Sequence, residues 1–383
     1  MAAPRPPPDW DPRSDTVLRD QIEAYDAMRR RCPVAYSDYL GWSLFRHEDV
    51  KRALDDHRTF SSVVSSHLSV PSGMDPPRHT AYRRLIDRHF EPGRVEAFEP
   101  LCRLISADLV AGLDRGVEID LVTRFARLFA VRIQCAFLGW PDSLHEPLLE
   151  WVRKNHEATL ARDTAAMEAI ALEFDGYIGE LLEARGEVGA PDDTTTRLLR
   201  ERIDGRLLDR DEIVSILRNW TVGELGTITA CVGILVHHLA AAPQLQQRLR
   251  RHPGLLPAAI DEILRLHAPL ISNRRVTTRP VEIGGREIAA GERVTLIWAS
   301  ANRDEAIFGD PDEFRLDRDP AQNLLYGHGI HVCPGAQLAR LELRVVMEEL
   351  LRRTREITPA SGRRPKLAVY PASGFSTLPV VVV

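Results

Sequence analysis

The stretch YGHGIHVCPGAQLAR, residues 326–340, decides how the rest of the chain is read. Gly327 and Gly329 permit a tight, irregular loop, because glycine enters left-handed backbone without steric cost. Cys333 closes that loop. Pro334 is expected at the first position of a helix, where its missing N–H is no loss. Leu338, Leu341 and Val345 then recur at helical spacing. A cysteine at a helix start faces unpaired N–H groups and the positive end of the macrodipole, and both favour a thiolate. Such a thiolate is a ligand for a soft metal centre or a nucleophile. Two other readings stand beside it. One is a buried structural cysteine in a turn. The other is a metal cluster of His328, His331 and Cys333, although that spacing matches no common zinc pattern.

The whole chain bounds the choice. It has 383 residues, 44% of them hydrophobic, which is enough for a large core and excludes disorder. Lys and Arg total 50 against 55 Asp and Glu, a net charge of -5, so a dedicated nucleic-acid binder is disfavoured. Five scattered cysteines without a CxxC pair argue against a disulfide framework or a zinc ribbon, and for a reducing, cytoplasmic setting. Residues 1–14 are Pro-rich, are expected to be flexible, and lack the apolar core of a signal peptide. No uninterrupted apolar run reaches the roughly 18–20 residues of a membrane span, so no membrane partner is expected. The longest, 228–242, is broken by Gly233 and His237-His238, closes at Pro243, and reads as a buried helix.

Helical spacing dominates from residue 15 to about 270. Leu101, Leu104, Ile105, Leu109 and Leu113 form one apolar stripe, and Phe174, Ile178, Leu181 and Leu182 another. Residues 186–193 read as a loop. Asp209 with Glu212 three residues on predicts a capped helix start, and the helix should run towards Ala242. Strand signals lie at 40–45, at 275–290 as two strands joined by Gly284-Gly285, and at 293–297. The prediction is a mainly α chain with a minor antiparallel β region, one domain over 15–383.

Gly327, Gly329, His331, Cys333 and Gly335 together resemble the haem-binding loop of the cytochrome P450 family, F-G-x-G-x-H-x-C-x-G, with Tyr326 in place of the usual Phe. Three further stretches agree in order and spacing. Glu262-Ile-Leu-Arg265 is similar to the family's E-x-x-R, whose i, i+3 spacing lets the two charges pair. DPPRHTAYR, residues 75–83, resembles a helix start the family carries. Asn302-Arg303-Asp304 and the segment to Phe314 look like the family's link between sheet and haem loop. The resemblance runs from about residue 15 to the C-terminus and implies the triangular, mostly helical fold of that family.

What the resemblance implies is a haem b whose iron is held by Cys333, in a monooxygenase that inserts one oxygen atom from O2 into a small organic molecule by hydroxylation, epoxidation or oxidative demethylation. It assigns His79, Arg83, Arg275 and His331 to the haem propionates and lets the backbone at Gly335 pass near the porphyrin. On the long helix the family's usual A/G-G-x-D/E-T-T falls on GELGTI, residues 223–228. Thr227 keeps the alcohol; Gly226 stands where the acid is usual, and Glu224 where a glycine is usual. Glu224 lies three residues before Thr227, about 60° away around the helix. Thr227 and Glu224 are therefore the expected catalytic pair. For Glu224 three roles stay open: a substitute acid in proton delivery, an anchor for a polar or cationic substrate group, or an ion pair with an arginine of a neighbouring helix.

The pocket is expected from residues 60–70, 217–227, 270–273 and 374–376, where His67, Asn273 and Ser376 mix with Trp220, Leu270 and Phe375. That mixture suits a modest-sized substrate with apolar and polar ends. Electrons are expected from a ferredoxin or flavodoxin with its reductase, docking on Arg84, Arg88, His89, Arg103, Arg340 and Arg344. The absent acid at Gly226 keeps open a peroxide-driven or phenol-coupling oxidase. A haem sensor without catalysis is the non-enzymatic alternative.

Overall fold

Asp209 begins the longest helix of the protein. Its carboxylate accepts from the Glu212 backbone N–H (2.8 Å), and the Glu212 carboxylate accepts in return from the Asp209 N–H (2.9 Å). This closes two of the orphan donors of a helix start, as the sequence predicts. The helix runs Arg210–Ala241 and stops before Pro243, whose ring disfavours helical backbone in the residue preceding it. By length and composition it is apolar enough to cross a membrane, a property that a search for uninterrupted apolar runs misses. Of its most apolar window, 56% is buried inside the protein.

The computed structural model describes residues 6–185 and 191–383. Residues 186–190 of the expected loop at 186–193 lie outside that range, as do residues 1–5 of the Pro-rich start. Packing divides the chain into two compact units. One comprises Met1–His67, Ser72–Pro76 and Asp261–Cys333; the other comprises Leu68–Pro71, Pro77–Ile260 and Pro334–Val383.

The first unit holds the five-stranded sheet, in the order Val34–Ser37, Gly41–Leu44, Arg293–Ile297, Ser272–Thr277, Phe60–Ser61. Its pairs are antiparallel except Arg293–Ile297 against Gly41–Leu44, which is parallel. Side chains of its own strands, Val34, Trp42, Leu44, Phe60, Val294 and Leu296, form a buried cluster. From Asp9 onward the Pro-rich start is held. The Asp9 N–H donates to the Tyr36 carbonyl, its carboxylate accepts from the Tyr36 N–H, and Trp10 is buried against Tyr25 and Phe45. The hairpin over Gly284-Gly285 forms from Val281–Ile283 and Arg286–Ile288. The residues preceding it are not one strand, as expected, but two. Ser272–Thr277 belongs to the large sheet, and the break falls at Pro280, which has no N–H to give a ladder.

The second unit is mainly helical. Helix Pro92–Ala111 packs along helix Ala336–Arg353, and its buried face is Val95, Phe98, Cys102, Ile105 and Val110. Leu101 and Leu104, placed in the expected stripe, are 42% and 67% exposed. The sequence offers two apolar registers on this helix, and the partner helix selects the one that begins at Val95. The stripe Phe174, Ile178, Leu181 and Leu182 is buried as expected on helix Thr164–Arg185. A three-stranded sheet of Ile357–Pro359, Pro379–Val382 and Glu118–Asp120 completes this unit, with the short pair Lys366–Leu367 and Phe375–Thr377.

Candidate functional site: a cysteine loop and a carboxyl-bearing helix pair

The cysteine loop of the first unit is closed by its own backbone: Cys333 N–H donates to the Tyr326 carbonyl at 2.8 Å, and Val332 N–H to Gly329 at 3.1 Å. Gly329 has φ +70°, and a Cβ there would stand 2.7 Å from the Leu54 carbonyl oxygen. Only glycine fits, for reasons of both conformation and space. The helix after the loop begins later than expected. Pro334 lies in a turn, Gly335 is the N-cap, and the first helical residue is Ala336. Cys333 therefore precedes the helix by a turn of chain. His331 Nε2 lies 2.9 Å from the Ser62 hydroxyl, and His328 Nε2 3.2 Å from an Asp55 carboxylate oxygen. Among the described residues no three His, Cys, Asp or Glu side chains converge as a metal cluster.

Arg275 sits on strand Ser272–Thr277 and is buried to 4% exposure. Its guanidinium donates to the Arg274 carbonyl (2.8 Å). Burial pulls its pKa down to about 10, against the opposing pull of Asp75. Asp75 is itself occupied, accepting from the Ser61 hydroxyl at 2.5 Å and the Ser62 N–H at 3.0 Å. A buried guanidinium served mainly by one carbonyl is a site for an anionic group.

Glu262 and Arg265 make the buried pair that their spacing suggests, with bonds of 2.8 and 2.9 Å. Arg265 also donates to the carbonyls of Asn302 and Pro311, and Glu262 accepts from the Arg318 side chain and the Arg315 N–H. One carboxylate thus organises the irregular chain from 302 to 318. The two further arginines were not expected; E-x-x-R alone carries no sign of them.

In the second unit His79 is buried on helix Arg78–Asp87. Arg83, one turn on, pairs with Asp87 at 2.6 Å. Among the described residues, six hydrogen bonds fasten residues 68–70 to the long helix. Ser215 accepts from the Val70 N–H and donates to the Leu68 carbonyl. Arg218 donates to the same carbonyl, and Asn219 bonds Ser69 and the Val70 carbonyl. Residues 63–67 just before them are exposed, His67 included. Trp220 packs against His89 and Phe90, and Phe375 lies tilted against His237 with ring centroids 4.5 Å apart. Ser376 is turned to the Lys366 and Leu367 carbonyls.

The GELGTI stretch lies in the middle of the long helix. A Cβ at Gly226 would stand 3.4 Å from the His156 ring of helix His145–Ala161. The place of the usual acid is thus hemmed by a histidine. Among the described residues no arginine is paired with Glu224. Its carboxyl and the Glu342 carboxyl on helix Ala336–Arg353 act on one another electrostatically, while Glu224 Oε1 and both Glu342 oxygens are buried without a hydrogen-bond partner among the described residues. Burial raises the pKa of both. Glu342 is fully buried and was not foreseen. The signal was present: it falls four residues after Leu338 and three before Val345, on the apolar stripe of its own helix.

The basic face is smaller than expected. His89 is buried, and desolvation depresses its pKa to about 4. Arg103 and Arg344 are matched by Glu99 and Glu348, and Arg103 also by Glu349. Arg84 and Arg340 are exposed, as is Arg88, whose guanidinium lies 3.3 Å from the Glu201 carboxylate.

Comparison with known proteins adds the family. The sequence profile of the cytochrome P450 family matches residues 140–377. Cyclomarin C epoxidase of Salinispora arenicola is 34% identical, over 82% of this chain and 83% of its own. Erythromycin C-12 hydroxylase of Saccharopolyspora erythraea is 34% identical, over 90% of this chain and 89% of its own. The structure of a mutant of P450 EryK in complex with erythromycin B superposes with a TM-score of 0.86 at 30% identity, covering 95% of this chain and 97% of that one. A profile match over more than half of its length, with relatives this similar along most of it, establishes that the chain belongs to the cytochrome P450 family.

Proposed function

We propose that this haem b monooxygenase holds its iron through Cys333 and its haem propionates through Arg275, His331, His79 and Arg83, and that it oxidises a small organic molecule with apolar and polar parts. The donor set fits the group. A cysteine thiolate suits iron, and the buried Arg275, whose nearest carboxylate is already occupied, suits an anionic arm. That guanidinium is the observation on which the reading leans most. When bound, a thiolate-ligated haem supplies a centre that favours cleavage of the O–O bond. The residues of the chain do the rest. His331 is steadied by Ser62, Arg275 by the Arg274 carbonyl, and Gly335 caps the helix that follows the ligand. Thr227 offers the hydroxyl that holds and passes protons. The curated relatives carry names for epoxidation of cyclomarin C and hydroxylation of erythromycin, which supports the same classes of reaction here.

Electrons come from a ferredoxin or flavodoxin with its reductase, drawn by the exposed Arg84, Arg88 and Arg340. The setting is the cytoplasm, where five unbridged cysteines are at home.

Two measurements test this reading. Arg275→Ala loses a charge-assisted hydrogen bond of about 1.5–3 kcal/mol, so haem is retained roughly 10- to 100-fold less tightly, and Arg275→Lys recovers part of it. Transfer of haem to an apo-globin acceptor reads this directly; an unchanged transfer rate removes Arg275 from the haem site. Thr227→Ala binds substrate as the parent does but releases more hydrogen peroxide per electron consumed. Unchanged coupling in that variant assigns proton delivery elsewhere.

A further inference from the structure

The middle of the long helix is open on one face. Val222 is 45% exposed and Gly223 is exposed, although Thr221 and Leu225 on either side of them are buried. A Cβ at Gly223 would meet nothing within 4 Å. Gly226 and Thr227 follow Gly223 by three and four residues, the two spacings that make neighbours on a helix surface. The open face therefore reaches from Val222 and Gly223 to Gly226 and Thr227, all of them in the second unit.

His156, on helix His145–Ala161 of the same unit, borders this face. Its ring atoms Cε1 and Nε2 stand 3.4 and 3.5 Å from the place of a Gly226 Cβ. The side chain is half-buried, and neither ring nitrogen is hydrogen-bonded to any described residue. A desolvated polar group without a partner costs free energy until it finds one. Burial lowers the His156 pKa, and the Arg127 charge lowers it further, so the ring is neutral at pH 7. A neutral imidazole offers one N–H donor and one acceptor, and no charge to draw an acid or an amine.

We infer that His156 is a specificity-determining residue of this monooxygenase, whose Nε2 edge hydrogen-bonds an uncharged oxygen, a ketone or a hydroxyl, on a substrate whose apolar skeleton lies against Val222 and Gly223. This rests on the reading above of a small organic substrate with apolar and polar parts, and names the polar group and the residue that receives it. The missing side chain at Gly226 belongs to the same arrangement. An acid in that place would take up the Nε2 edge of the ring, whereas glycine leaves the edge to a ligand. Gly226 and Thr227 lie about 100° apart around the helix. The anchored oxygen and the part of the skeleton beside Thr227 are therefore different parts of the molecule, and oxidation falls on a carbon away from the oxygen that His156 holds.

The test uses the haem-loaded enzyme and two probes, α-tetralone and tetralin, which share a skeleton and differ by one carbonyl oxygen. Binding is read by the shift of the Soret band and, independently of the haem spectrum, by calorimetry. The parent is expected to hold the ketone roughly 3- to 10-fold more tightly than the hydrocarbon, the worth of one neutral hydrogen bond. His156→Ala is expected to erase that preference while tetralin binds as it does to the parent, and to spread oxidation of the ketone over more positions. His156→Gln, which keeps an amide donor and acceptor, is expected to retain part of the preference. Gly223→Leu fills the open face, and leucine favours a helix more than glycine does; this variant is expected to keep full haem content and to lose both probes. A parent that does not prefer the ketone, a preference that survives His156→Ala, or a Gly223→Leu enzyme that binds both probes as the parent does overturns the inference. None of these results bears on haem ligation. A parent without the absorption of a thiolate-bound haem sinks the underlying reading whatever the probes do, and a parent with it keeps that reading even where the probes go against His156.

Discussion

Glu262→Ala lowers the unfolding free energy by about 3–5 kcal/mol, because removing one member of a buried ion pair leaves the other charged and unpaired. Arg265, at 1% exposure, loses both bonds to the carboxylate and keeps two carbonyls that cannot balance its charge. Arg318 loses its acid as well, and the Arg315 N–H its acceptor. The segment 302–318, which has only short helical turns of its own, is released from helix Leu256–His267 in consequence. Denaturant unfolding should show a lower midpoint at an unchanged slope. A midpoint equal to that of the parent would demote the pair to a surface salt bridge of at most about 1 kcal/mol.

Cys333→Ala abolishes thiolate ligation altogether. The reduced, carbon monoxide-treated protein loses the long-wavelength Soret band that marks a thiolate-bound haem, and haem content drops. The histidines of the same loop cannot substitute, since His328 is drawn to Asp55 and His331 to Ser62. A variant that retained the long-wavelength band would sink Cys333 as the ligand.

The cysteine loop was legible because every one of its restrictions is local. Gly329 must be glycine for its backbone and for the Leu54 carbonyl beside it, and a fixed order of Gly, His and Cys survives in one short stretch. The capping box at Asp209 was legible for the same reason. What escaped depends on partners distant in sequence. Which face of Pro92–Ala111 is buried is decided by a helix more than two hundred residues later. Glu224 could be read as an outlier, but Glu342, which acts on it, lies 118 positions away, and nothing in the spacing joins them. Arg103 and Arg344 looked like a docking surface until three acids from two helices were found to neutralise them. A count of charges does not show which of them are already matched.

The bonds that fasten residues 68–70 to the long helix, with Asp75 holding Ser61 and Ser62, leave residues 63–67 as a short exposed span with a fastening on each side. Such a span is a natural place for length variation. Doubling a flexible loop costs only about 0.6 kcal/mol, and neither set of bonds uses the side chains of Val63, Val64, Ser66 or His67. Insertions or swapped sequences there can therefore be sampled at little risk to folding. A library built on this span tests the expectation that residues 60–70 help to line the substrate pocket, and leaves the haem-loop residues, Glu224 and Glu342 in their native sequence.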